Sequence, residues 1–167
     1  MKRFTLLFLL MCDQNVYAQT DATRDSMLNV LLVAKEDTNK VHALITTGQY
    51  VEYNNLDEAK NYYLQAYELS KKLNYTMGVL KYYSNYTAVL NIQARFDSAL
   101  VLTKDALQLA NKFGNEERII IAQQNLSATY AYLQDYESAL QYLLPSVAYF
   151  EKTKNDARLS LIYDNLG

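Results

Sequence analysis

Tryptophan is absent from this chain, proline occurs once, and cysteine and histidine occur once each. A lone His42 cannot build a His-based metal cluster or a Ser-His-Asp arrangement. The four glycines stand apart at 48, 78, 114 and 167, so no glycine-rich loop is available to cradle a phosphate. Basic residues are not in excess. Sixteen Lys and Arg against eighteen Asp and Glu give a net charge of −2, and a nucleic-acid surface normally carries a basic stripe. No apolar run reaches the roughly 20 residues that a membrane span needs. Catalysis, cofactor binding and metal binding are therefore not expected of this segment, nor is nucleic-acid recognition.

What is abundant is tyrosine, sixteen against five phenylalanines. Its ring packs while its hydroxyl reaches water or a backbone partner, which suits helices in a thin array with few wholly dry positions. An apolar fraction of 50% with 20% charged residues fits a folded chain.

The amino terminus reads as a targeting segment. Lys2 and Arg3 precede an apolar run from Phe4 to Met11, and Val16-Tyr17-Ala18 offers a cleavage site. Residues 1–18 are read as a secretory signal cut after Ala18. The alternatives are a buried amphipathic helix or lipidation of Cys12, although Leu10-Met11 suits the lipoprotein peptidase poorly. Cleavage removes two cations and one anion, leaving a net charge of −3, and removes the only cysteine. Protein attachment to a membrane is expected only through this leader or through a downstream span.

Beyond the leader one pattern returns every 40 residues. Leu56-Asp57-Glu58-Ala59 recurs as Phe96-Asp97-Ser98-Ala99 and as Tyr136-Glu137-Ser138-Ala139, while Asn85, Asn125 and Asn165 keep the same step. A fixed period in this range marks a solenoid whose units stack on their neighbours. Residues 19–36 form a leader with a helical apolar stripe at Met27, Leu28, Val30, Leu31 and Leu32. Repeats are predicted at 37–75, 76–115 and 116–155, with a fourth beginning at 156–167. Helix pairs are expected over 38–53 and 57–73, 76–92 and 97–113, and 116–133 and 137–153. Short turns at Asn54, Ala94 and Gln134 require antiparallel neighbours. Asn74, Gly114-Asn115 and Asn155-Asp156 supply residues that tolerate the left-handed conformation at helix ends. Pro145 falls inside a predicted helix and should cost the Gln141 carbonyl its partner and kink the helix.

The residues Thr47, Tyr50, Ala59, Tyr63 and Ala66 resemble the tetratricopeptide pattern, as do Tyr83, Thr87, Leu90, Ala99 and Ala106. Leu126, Ser127, Tyr130 and Ala139 continue it, and Tyr163, Leu166 and Gly167 begin it again. The period exceeds the family's usual 34 or so residues, and the proline that usually ends the second helix is missing. A HEAT-type array also has a period near 40, but the nine-residue step from Tyr50 to Ala59 suits the tetratricopeptide pattern better. The resemblance covers about residues 38–167 and implies an all-α fold, a right-handed α-α superhelix of TPR type.

It further implies a surface that binds protein or peptide. Asn85, Asn125 and Asn165 fall where such arrays often clamp a peptide backbone, and an amide both donates and accepts. The competing reading is that these Asn bond to neighbouring helix backbone. Lys81, Ser84, Ala88, Gln124, Ala128 and Tyr132 should line the same face, which is too poor in Lys and Arg to resemble a clamp for acidic carboxylates. Asn74-Tyr75-Thr76, Asn85-Tyr86-Thr87 and Asn125-Leu126-Ser127 also match the N-glycosylation acceptor. The arrangement resembles the exported N-terminal sensor regions of membrane histidine kinases and related regulators. The alternative is an accessory array serving an enzyme encoded beyond residue 167.

Overall fold

The computed structural model describes residues 22–166, and among these every regular element is an α-helix. A first helix, α1, covers 22–33. It is followed by α2 (Thr38–Val51), α3 (Leu56–Lys72), α4 (Thr76–Ile92) and α5 (Phe96–Phe113). The last three are α6 (Glu116–Tyr132), α7 (Tyr136–Lys152) and α8 (Asp156–Leu166). The proposed signal, residues 1–18 with Cys12, lies outside the described residues. The chain divides into two compact units, Met1–Leu73 and Asn74–Gly167.

Side chains write the helix starts. Asp37 accepts hydrogen bonds from the backbone N–H groups of Asn39 and Lys40 at 2.8 and 3.2 Å. Asn55, Asn115, Asp135 and Asn155 each accept one from the residue three positions on, at 3.1–3.2 Å. Each cap satisfies a donor that the first turn leaves without a partner. For Asp135 the Ser138 contact also holds the carboxyl below the usual carboxylate range.

The helix ends are less orthodox. After α4 the N–H of Arg95 donates to the Leu90 carbonyl and that of Ala94 to the Asn91 carbonyl. The same pair of bonds closes α6 at Asp135 and Gln134, and α7 at Asn155 and Lys154. These are Schellman turns, which place one residue in the left-handed region. That residue is Ala94, Gln134 or Lys154, with φ between 53° and 62°. Only α5 uses a glycine there, Gly114 at φ 77°. Asn74 takes φ 52° after α3. At the end of α7 the expectation shifts by one: Lys154 is left-handed, and Asn155 caps α8 instead. α7 continues through Pro145 to Lys152.

In the first unit α2 packs on α3. Val41, Leu44, Ile45, Ala59, Tyr63 and Ala66 are buried there. Tyr63 is fully enclosed, and its hydroxyl donates to Glu52 Oε2 at 2.5 Å. The ion pair of Arg24 with Glu58 at 2.8 Å ties α1 to α3, and Lys72 pairs with Glu36.

In the second unit each helix from α4 to α8 packs on the next, and α4 also touches α6. Leu80, Ala110 and Ala122 form one core with Leu107, Leu109 and Ile119. Ile120, Phe150 and Ile162 form another with Leu143, Val147 and Leu159. Ala99 has no exposure, and Ala139 is buried as well. Small side chains at these sites let helix axes approach to about 8–10 Å.

Candidate binding face

Six of the seven polar residues singled out in the sequence for binding lie on two helices of the second unit. α4 carries Lys81, Ser84 and Asn85, and α6, packed against it, carries Gln124, Asn125 and Tyr132. Asn125 Nδ2 donates to Ser84 Oγ at 2.9 Å, a bond between the two helices. Asn85 Nδ2 instead donates to the Lys81 carbonyl of its own helix at 2.8 Å. Both amides thus spend an N–H inside the array. Asn165 lies on α8, and its side chain lies outside the described residues.

A second polar tie lies deeper. Asn91 Nδ2 donates to Thr129 Oγ1 at 3.2 Å, and Thr129 Oγ1 donates to the Asn125 carbonyl at 3.1 Å. Asn91 Oδ1 and Thr87 Oγ1 are buried without a hydrogen-bond partner among the described residues, as is Arg118 Nε. The Lys81 ammonium sits below its ordinary range, first because burial penalises the charge and second because Arg118 is near. Ser127 Oγ donates to the Ala139 carbonyl at 2.7 Å, linking α6 to α7 at a closely packed point.

Next to this face runs a groove of about 790 Å³. Gln124, Ala128 and Tyr132 of α6 form one wall, and Tyr136, Leu140 and Leu143 of α7 the other. Arg158 of α8 also lines it. The groove therefore contains three residues expected from the sequence. It also contains three apolar residues of α7 and an arginine that were not anticipated. Arg158 lies 40 positions after Arg118, and that repetition was the signal available for it.

No protein-family model and no curated protein matches this chain. The chemistry of the face must therefore be judged from its own groups. Exposed Ala128 leaves space above α6, Tyr132 and Tyr136 offer ring faces, and Gln124 and Arg158 offer polar ends. Such a lining can hold an apolar side chain and orient a polar one. Among the described residues no group of three or more His, Cys, Asp or Glu could hold a metal. His42 is half-buried on α2 in the other unit. Among the same residues no helix is long and apolar enough to cross a membrane.

Proposed function

We propose that this chain is a tetratricopeptide-like array, a right-handed α-α superhelix with a 40-residue period, that binds a protein or peptide segment. The observation that carries the binding reading is the groove beside α6, open and lined by Gln124, Ala128 and Tyr132. The repeat reading draws support from helix starts at Leu56, Phe96 and Tyr136. Burial of Thr47, Thr87 and Ser127 at matching positions supports it too. A sensory or scaffolding role in an exported signalling protein is part of the proposal. A mature chain beginning at Gln19, read by mass spectrometry, would support export, and one retaining Met1 would refute it.

Peptides selected from a random library against the purified chain provide the probe. Ala128 is exposed, so Ala128→Trp should fill the groove and weaken those peptides at least about tenfold, near 1.4 kcal/mol. Asn125→Ala should lower stability by about 1 kcal/mol, because the Ser84 hydroxyl and the helix tie lose their partner. Fluorescence anisotropy and chemical denaturation measure the two effects separately. Unchanged peptide affinity in Ala128→Trp would place the ligand elsewhere.

A further inference from the structure

The three Asn-x-Ser/Thr triplets of the sequence are not equivalent once the helices are placed. Asn85 and Asn125 lie inside α4 and α6, and their amides donate to the Lys81 carbonyl and to Ser84 Oγ. A bulky group on Asn125 Nδ2 would have to stand where the two helices are tied. Asn74 is different. It is exposed and lies in the turn between α3 and α4, with φ 52°.

The repeat shows what this turn would otherwise contain. One and two periods later, Asn74-Tyr75-Thr76 becomes Gly114-Asn115-Glu116 and Lys154-Asn155-Asp156. In both later turns an Asn caps the helix, accepting from the N–H of Arg118 or Arg158 at 3.1 and 3.2 Å. Both also set an acid at the first helical position, where the positive end of the dipole favours it. α4 has neither device. Tyr75 holds the cap position without a side-chain cap hydrogen bond, and the first turn contains no acid.

Left-handed geometry accounts for an Asn at 74, since Asn tolerates positive φ. It does not account for a hydroxyl two residues later. Thr76 gives up the favourable charge at the start of α4, and the same change completes the triplet.

We propose that Asn74 is a glycosylation site, taking an N-linked glycan from a polyisoprenyl diphosphate donor. The triplet is the acceptor read during secretion, so the assignment rests on the export reading above. In the transfer a bond forms between Asn74 Nδ2 and the anomeric carbon of the first sugar. The bond from that carbon to the diphosphate oxygen breaks. The diphosphate leaves with the electron pair, and the amide gives one proton to the transferring enzyme, so nothing is oxidised or reduced. At an exposed turn the folded chain carries a bulky, hydrated group without displacing a packed helix.

Production in a eukaryotic secretory host tests the site, with the chain carried once by its own residues 1–18 and once by an established leader in their place. Intact mass spectrometry before and after an N-glycosidase counts the glycans. Peptide mapping then finds the Asp that the glycosidase leaves at a modified Asn. One glycan is expected, at Asn74. Asn74→Gln and Thr76→Ala should each abolish it, Thr76→Ser should retain it, and Asn125→Gln should leave it in place. A glycan at Asn74 under the established leader but not under the native one would refute export and leave the site standing. A secreted chain without a glycan would overturn the site, whichever leader carried it. So would a glycan mapped to Asn85 or Asn125 with Asn74 bare.

Discussion

Replacing Gly48 with alanine is expected to destabilise the first unit by about 1–3 kcal/mol, the usual cost of overpacking. In an open helix the same change would stabilise by about 1 kcal/mol, since alanine is the better helix former. The sign is decided by Tyr63. A Cβ at position 48 would lie 2.4 Å from Tyr63 Cε1 and 2.8 Å from Cδ1. That ring is fully buried and its hydroxyl is fixed on Glu52, so it has nowhere to turn. Tyr63→Ala alone should cost about 3–5 kcal/mol. In the Tyr63→Ala background, Gly48→Ala should become neutral or stabilising, a reversal that urea denaturation of the four chains would reveal. The same tyrosine gives the unit an alkaline limit. Burial first, and the Glu52 contact second, push its hydroxyl far above the ordinary 10.0. The folded state therefore holds a proton that the unfolded state gives up. The associated stability is complete below pH 10.0 and falls above it by about 1.4 kcal/mol per pH unit. Tyr63→Phe should abolish that slope.

Phe150→Ala is the other substitution with a large expected effect, about 3–5 kcal/mol. Phe150 is 5% exposed and joins Ile120 of α6 to Ile162 of α8. Among the described residues, α7 is the one helix on which α8 packs extensively. Truncating Phe150 should thus free α8 before it loosens α4 to α6. Hydrogen exchange should show protection lost first across Asp156–Leu166 and largely retained across Thr76–Ile92. Uniform loss across both helices would mean that the second unit opens as a single body.

The helical layout was legible because its signals are local. Predicted α4 coincides with the observed Thr76–Ile92, and the other paired helices differ at their ends by one or two residues. Apolar periodicity and the Asn and Asp caps suffice for that. The left-handed residues were half legible. Asn74 and Gly114 obey the side-chain preference for positive φ, whereas Ala94, Gln134 and Lys154 defy it. A β-carbon in that region costs about 1–2 kcal/mol, and helix packing on both sides of each turn outweighs it. The ladder of Asn shows the limit more sharply. Equal spacing places Asn85 and Asn125 on equivalent helix positions but does not say where an amide turns. One turns to its own backbone and the other to Ser84, a neighbour 41 positions away. The close approach of Gly48 to Tyr63 was missed as well, although an isolated glycine inside a predicted helix was a signal for it.

Within each unit, the packing of helices on their neighbours in sequence has a kinetic consequence. No contact between helices in either unit has to wait for a distant part of the chain. Low contact order of this kind shortens the loops that must close before packing rewards them, and helical domains built so fold in microseconds to milliseconds. The hairpin of α2 and α3 is complete once Lys72 has emerged, and its buried tyrosine needs nothing that follows. A chain with this topology can acquire structure in the order in which it appears, hairpin by hairpin, exposing little apolar surface at any moment. Vectorial folding is thus built into the sequence of contacts, whether the chain leaves a ribosome or a membrane pore.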